Sequence, residues 1–419
     1  MKFFFPDAHD LVNPLFDFTT ERRTFAGSRQ QSQLYAHEVL DAPPYDGMLL
    51  SKAMIDPHSS AKSVRYSFAQ VQRLKRVGAH EFLRLDRPGL KRRLETMGDC
   101  GSFSYVNEAE PPYGVDAVIQ FYLDCQFDHG ISLDHVVLGF NAPGVKNEDR
   151  LPEWQRRFQI TLDKAEEFLK QHRQARLPFG PIGAAQGWSA ESYRDAVKSL
   201  QQMGYDYIAL GGMVPLKTLE ILATLEAIRE VRKPSTKLHL LGISRLENLD
   251  AFEGAGVYSF DSTSPLKRAF MDDRDNYHTL ERTYTAVRIP QVDGNAQLKK
   301  LILAGVVDFG VARKLELACF QGVLEFDKGK LGIESLLERL REYELVWHGR
   351  KDDSVRYRET LEDKPWKRCR CAICQKLGIH VVLFRGAERN RRRGFHNLYV
   401  LRKKLDQLPP KEKVRHDNR

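Results

Sequence analysis

The sequence predicts an α/β protein, a (β/α)8 TIM-like barrel followed by a C-terminal zinc-binding subdomain. Three observations predict it. Short apolar runs alternate with amphipathic stretches from about residue 45 to 265. Most of these runs end in a Gly-rich or polar loop, where chemistry-bearing residues collect. Near the C-terminus, cysteines crowd together ahead of a histidine.

The apolar runs come in order. Leu94–Met97 leads into Asp99, Cys100 and Gly101; His135–Phe140 into Asn141, Ala142, Pro143 and Gly144; and Pro178–Ala185 into Gln186 and Gly187. Tyr207–Leu210 leads into Gly211 and Gly212, Leu238–Leu241 into Gly242, and Val257–Phe260 into Asp261. Helix-like stretches lie between them, among them Glu153–His172, Ser189–Met203 and Leu216–Val231. Strands that alternate with helices imply a parallel sheet buried on both faces. Several such units in a row favour a closed barrel over an open sheet. A barrel of this kind keeps its chemistry at the C-terminal ends of its strands. The residues standing there are Asp99, Asn141, Gln186, Gly212 and Asp261. Residues 285–365 are more helical and charged, and Leu331–Tyr343 is amphipathic. They are expected to complete the barrel as a helical insertion. The catalytic domain then spans 1–365, the zinc-binding subdomain 366–405 and a basic tail 406–419.

Composition agrees with a folded, nucleic-acid-directed protein. Of the 419 residues, 42% are hydrophobic and 29% charged, enough apolar material for a large core and too much for global disorder. A formal net charge of +9 suits a polyanionic partner. The opening apolar stretch breaks at Pro6 and Asp7, too early for a signal peptide. No apolar run approaches the ~18 residues of a membrane span. A soluble cytoplasmic protein is expected, without membrane association. Cys100, Cys125 and Cys319 are scattered and make no secreted disulfide framework.

Cys369, Cys371, Cys374 and His396 form a Cys3His set, the closed tetrahedral kind that serves structure, and its soft sulfur ligands favour one Zn2+ per chain. His380 is the rival fourth ligand, ranked lower because it opens the apolar run His380–Phe384, which reads as a strand. Between the third cysteine and His396 stand Arg389, Arg391, Arg392 and Arg393. A basic run is usually a solvated face; on a metal-fixed subdomain it becomes a candidate for phosphate contacts.

The zinc pattern running into His396-Asn397-Leu398 resembles the C-terminal signature of the guanine transglycosylases. Four further segments resemble the family in order: Asp99 to Phe103 its Asp-Ser-Gly-Gly-Phe loop, Gly183 to Gly187 its Gly-Ile-Val-Gln-Gly, Leu210 to Met213 its Gly-Gly-Leu turn, and Phe260 to Ser262 its Phe-Asp-Cys or Phe-Asp-Ser. The opening Met1 to Asp7 and the segment Tyr35 to Leu40 look like the branch called DpdA, which acts on DNA. The resemblance implies exchange of guanine in DNA for 7-cyano-7-deazaguanine (preQ0). It makes Asp261 the covalent nucleophile and Asp99 the proton-transfer partner. It gives Phe103 a stacking role, Gln186, Gly212 and Met213 contacts to the base, and Leu241 the wall under the ring. It also implies DNA and the preQ0 base as partners, and an ATPase with a ParB-like protein in the same modification system. A homodimer is compatible with it. The tRNA members read guanine with an aspartate. Counting along the strand over 135–140 puts Phe140 or Asn141 at that place, and Asn141 is chosen; Asp128 and Asp134 fall upstream, with Asp134 at the start of the strand, toward the other mouth of the barrel. Exchange on tRNA, and a zinc-containing nucleic-acid-binding protein without catalysis, stand as alternative functions.

Overall fold

The computed structural model describes residues 1–7, 10–22, 32–55, 65–86, 92–141, 150–243, 245–349 and 352–408. Loop residues Ala142, Pro143 and Gly144, and the expected tail beyond residue 408, lie outside them. The chain forms two compact units. The first comprises Met1–His9, Tyr45–Thr263 and Gln407–Arg419, the second Asp10–Pro44 and Ser264–Asp406.

The first unit is a closed barrel of eight strands: β1 (Lys2–Pro6), β2 (Gly47–Ser51), β3 (Glu95–Asp99), β4 (His129–Ile131), β5 (Gly180–Ala185), β6 (Tyr207–Leu210), β7 (Lys237–Leu240) and β8 (Val257–Asp261). Each strand runs parallel to the next, and β8 returns to β1 with Asp261 opposite Phe4. Strands covered on both faces carry near-continuous apolar sequence, which is why most of them show as apolar runs. Phe4, Leu49, Met97, Ile131, Ile182, Ala184, Tyr207 and Ala209 fill the interior, with Leu241 and Tyr258 packed against them. The barrel is therefore a packed core with its usable space at the mouth.

The helices between strands follow from their starts as much as from their periodicity. Ser189 caps Ala190–Met203 by accepting from the Ser192 N–H, and Ser67 caps Phe68–Phe82 in the same way through Gln70. The long helix Leu151–Ala175 buries Trp154, Leu162, Ala165, Phe168 and Leu169, and Thr218–Val231 buries Ile221, Leu225 and Ile228.

Two expectations are corrected. Residues 135–140 form no strand; the fourth strand is the shorter His129–Ile131. Val136 and Val137 are buried, but in a segment without regular secondary structure. Hydrophobicity marks burial, and burial alone does not distinguish a strand from a packed loop. Residues 285–365 add no strand to the barrel, because β8 already closes it at Asp261. The missing strands come from the N-terminus, as β1 and β2.

The second unit is mainly helical. Phe309–Asp327 packs on Ile333–His348, and Ser264–Met271 on Gly386–Asp406. A hairpin pairs Tyr277–His278 with Thr283–Tyr284, and Val287–Arg288 pairs with Leu383–Phe384. Among the described residues, no helix is long and apolar enough to cross a membrane.

Candidate active site and metal centre

The strand ends of the barrel bring carboxyls together. Asp99 ends β3, and the chain turns sharply after it at Gly101, whose φ is +81°. A side chain there would overlap the Ser51 hydroxyl, so the turn requires glycine. The Gly101 N–H donates to Asp99 Oδ2 at 3.0 Å. Burial, reinforced by the nearby charges of Asp134 and Asp261, pushes the Asp99 carboxyl up to about 7.

Asp261 ends β8 and is 6% exposed. Its Oδ1 accepts from the Gly242 N–H at 3.0 Å and lies 3.1 Å from His239 Nε2. Behind it, His239 Nδ1 lies 2.8 Å from Ser259 Oγ, and that oxygen lies 2.5 Å from the Tyr207 hydroxyl.

Asp134 supplies the third carboxyl, and this corrects its expected place toward the other mouth of the barrel. Because β4 stops at Ile131, Asp134 follows the strand, on the side of the barrel where Asp99 and Asp261 stand. Asp134 Oδ2 accepts from Gln186 Nε2 at 2.6 Å and from the Ser102 hydroxyl at 3.2 Å. Its Oδ1 accepts from the Cys100 thiol at 2.9 Å. Burial raises the Asp134 carboxyl, against the pull of these donors, and the same burial pushes the Cys100 thiol up, keeping it a donor. Asn141 lies farther along, partly exposed, its N–H bonded to the Trp188 carbonyl at 2.6 Å. Asp128 stands at the start of β4 and serves structure: it bonds His80 at 2.7 Å, Arg93 at 2.6 Å and the Thr96 N–H at 2.7 Å. These donors hold its carboxyl well below the usual range, despite burial.

The remaining expected base contacts fall around this cluster. Gln186 is buried, and its Oε1 also accepts from the Val137 N–H at 3.2 Å, which fixes its amide orientation. Gly212 has φ +71°, and a side chain there would meet the Val137 carbonyl at 2.5 Å and Gln186 Oε1 at 2.7 Å. Met213 has a fully buried side chain. Leu241 rests on the barrel core, and Phe103, 50% exposed, lies on the short turn Ser102–Tyr105 after Asp99. Asp134, Cys100, Ser102, Tyr105 and His239 were missed as site residues. A histidine inside the apolar strand Lys237–Leu240 was the visible signal for one of them.

In the second unit, Cys369, Cys371, Cys374 and His396 gather with their ligand atoms within 4.8 Å of one another. The three sulfurs lie 3.6, 3.5 and 3.3 Å from His396 Nδ1. A tetrahedral zinc with ordinary Zn–S and Zn–N bonds sets that separation at about 3.6 Å. The other ring nitrogen, Nε2, donates to the His278 carbonyl at 2.8 Å, which leaves Nδ1 for a metal. Tyr277 stacks on the ring at 4.1 Å. The donor set thus fits zinc with no position left for water. His380 is not part of the cluster; it lies against Phe18 and Phe320, 3.5 Å from Arg389. Of its expected strand, His380–Phe384, only Leu383–Phe384 is one; His380 to Val382 belong to the 3-10 turn Gly378–Val382.

The arginine run is largely internal, which corrects the expected phosphate contacts. Arg389, Arg392 and Arg393 are 1%, 5% and 0% exposed. Arg389 bonds Glu21 and the Phe18 carbonyl. Arg392 bonds Glu388 at 2.5 Å and the Asn13 carbonyl at 2.6 Å. Arg393 donates to the carbonyls of Leu383, Val381 and Ala269 and to the Asn390 side chain. Arg391 is partly exposed and bonds the Leu11 carbonyl at 3.1 Å. A guanidinium without solvent access reaches no phosphate.

No protein-family model matches the chain. It is 47% identical over 410 residues to a protein of Salmonella montevideo described as a DNA-guanine transglycosylase, a match that spans 97% of this chain and 96% of that relative.

Proposed function

Since the chain belongs to the guanine transglycosylase family, with the DpdA-like members, and is a pentosyltransferase, we propose that it exchanges guanine in DNA for 7-cyano-7-deazaguanine through a covalent Asp261-glycosyl intermediate. The observation that carries this reading is the convergence of Asp99, Asp134 and Asp261 at one end of the barrel, where burial and mutual charge keep Asp99 protonated near neutrality.

A proton donor and an ionised nucleophile are what a retaining glycosyl exchange asks of two carboxyls. Asp261 Oδ2 attacks the sugar C1′ while the bond from C1′ to the base breaks, and its electron pair leaves with guanine. Asp99 gives its proton to that departing base. Guanine then leaves and the deazaguanine takes its place. Asp99, now ionised, takes the ring N–H proton of the incoming base, whose nitrogen attacks C1′ and expels the Asp261 carboxylate. Two inversions give net retention, and no ATP is consumed by the chemistry.

Asp134 and Gln186 read the base. A carboxylate offers about four lone-pair sites, and Cys100, Ser102 and Gln186 occupy three. The remaining site accepts one N–H from the guanine N1–H and amino edge. Phe103 stacks on the ring, the backbone at Gly212 and Met213 faces the substituent at position seven, and Leu241 forms the apolar wall. Zinc held by Cys369, Cys371, Cys374 and His396 supplies a structural cross-link and no reaction step. The target guanosine must leave its stack. The sequence holds no phosphate-cradling Gly-rich Lys-Ser/Thr loop to drive opening, so an ATPase partner, alongside a ParB-like protein, completes the system.

The test is nucleoside analysis of DNA and of tRNA from cells with and without this gene and its neighbours. Deazaguanine in DNA alone is the expected result; its appearance only in tRNA overturns the DNA reading while sparing the chemistry. In vitro, Asp261→Asn should abolish any denaturation-resistant protein–DNA adduct.

A further inference from the structure

The barrel interior beneath Asp261 contains a continuous line of polar atoms that no step of the exchange uses. His239 and Ser259 are fully buried and Tyr207 is 6% exposed, so these groups cannot turn to water for partners. The sequence places them by strand register. Ser259 and Asp261, two apart on β8, share one face of the strand. The pairing of β7 with β8 shifts register between Leu238 and His239, which sets His239 opposite Ser259. The rings of Phe4 and Tyr207 meet the imidazole edge-on, at 6.0 and 6.4 Å, and limit its rotation.

The hydrogen-bond inventory leaves one direction for the line when Asp261 is ionised. A carboxylate only accepts, so His239 Nε2 must carry the proton across the 3.1 Å contact. In the neutral ring Nδ1 then accepts, and Ser259 Oγ–H donates to it over 2.8 Å. Ser259 Oγ in turn accepts from the Tyr207 hydroxyl over 2.5 Å. Burial raises the Tyr207 phenol, so it stays protonated and anchors the donor end. The Gly242 N–H reaches the same carboxylate oxygen at 3.0 Å. Two donors therefore hold Oδ1.

We propose that His239, braced by Ser259 and Tyr207, is a positioning residue that pins Oδ1 of Asp261 and so assigns Oδ2 as the attacking oxygen. This rests on the reading of Asp261 as nucleophile. The device serves both halves of the exchange. When Oδ2 bonds to C1′, Oδ1 becomes the ester carbonyl oxygen and still accepts from His239 and Gly242. When the incoming base displaces the ester, the same donors receive the returning carboxylate charge. Nothing along the line needs to move or change protonation, so the carboxylate starts each turnover already aimed.

The experiment follows incorporation of radiolabelled guanine into guanine-containing single-stranded DNA, at saturating DNA, with DNA affinity and melting temperature measured on the same preparations. His239→Phe keeps an aromatic ring and removes the donor. Its exchange rate should fall roughly 10–100-fold, the usual worth of a hydrogen bond to a charged group, with DNA affinity within about twofold. His239→Gln, whose amide N–H takes the place of Nε2–H, should recover most of the rate. Ser259→Ala and Tyr207→Phe each delete one oxygen and should cost about 3–10-fold, in line with single neutral hydrogen bonds; they carry the test if His239→Phe fails to fold. Wild-type rates in all the folded variants overturn the proposal, as does a loss confined to DNA affinity. Asp261→Asn separates the two readings. If it exchanges at the wild-type rate, the nucleophile assignment falls; if it is inactive while the folded His239, Ser259 and Tyr207 variants all exchange at the wild-type rate, only the positioning line falls.

Discussion

A carboxyl that keeps its proton to about pH 7 does so because ionising it inside the protein is costly, and Asp99 bears that cost at the mouth of the barrel. Its ordinary value is 3.8, and its folded value is raised to about 7 by burial first and by Asp134 and Asp261 next. The folded state therefore binds this proton more tightly than the unfolded state. Stability from this group is present below its ordinary value. It falls by about 1.4 kcal/mol for each pH unit on the way toward 7 and is level above that. Asp99→Asn removes the titration. Its melting temperature relative to wild type should be higher at pH 8 than at pH 4, while exchange falls on the order of 10²–10⁴-fold. A difference in melting temperature that ignores pH would contradict the raised carboxyl. Arg393 bears a comparable burden with no acidic partner among the described residues: desolvation lowers its guanidinium to about 9, and carbonyls with one amide oxygen take up its two terminal nitrogens, Nη1 and Nη2. Arg393→Ala would orphan those carbonyls, at about 1–3 kcal/mol for each left buried and unpaired. Denaturant unfolding should show a loss of several kcal/mol, whereas a solvent-facing phosphate contact would leave stability unchanged and weaken only DNA binding.

At the scale of elements, the short fourth strand decides which side chain stands among Gln186, Cys100 and Ser102. β4 leaves the sheet after Ile131, and the chain carries Asp134 to Gln186, Cys100 and Ser102 before it runs on to Asn141. Asp134→Asn exchanges an acceptor-only group for one that is half donor, facing three donors already in place. Exchange kinetics should show KM for the incoming base raised at least about tenfold in Asp134→Asn and changed far less in Asn141→Ala, since a bond to a charged group is worth about 1.5–3 kcal/mol. The reverse ranking would restore Asn141 as the reader. The strands β6, β7 and β8 were legible almost to the residue, because a short buried parallel strand bounded by glycine or aspartate has few other readings. β4 was not legible, since Val136 and Val137 carry the same hydrophobic signal in a buried non-strand segment.

For the whole molecule, the separation into two compact units makes the metal a matter of folding. A zinc ion held by Cys369, Cys371, Cys374 and His396 would join residues 369–374 to the helix Gly386–Asp406, which itself packs on Ser264–Met271 and the strand Tyr277–His278. Metal binding is then part of the folding free energy of the second unit. Elemental analysis should find about one zinc per chain, and Cys371→Ser should lower both metal content and solubility. A metal-free wild type with an unchanged melting profile would remove the structural role.

Local order and chemical type were written in the chain itself. Alternating strands and helices, the Asp99 and Asp261 positions at strand ends, and four candidate metal ligands of matched softness all depend on neighbours close in sequence or on residue identity. Direction and partnership were decided by tertiary packing. The run from Arg389 to Arg393 reads as an exposed candidate for phosphate contacts, yet the helix that carries it is largely buried, and Glu21, Glu388 and backbone carbonyls from Phe18, Asn13 and Leu383 take up three of its guanidiniums. The line from Tyr207 through Ser259 and His239 to Asp261 joins three strands of the barrel. Tyr207, His239 and the pair Ser259 and Asp261 lie far apart in sequence, and only the register of β6, β7 and β8 brings their polar atoms within hydrogen-bond reach, because buried polar atoms must find their partners within the protein.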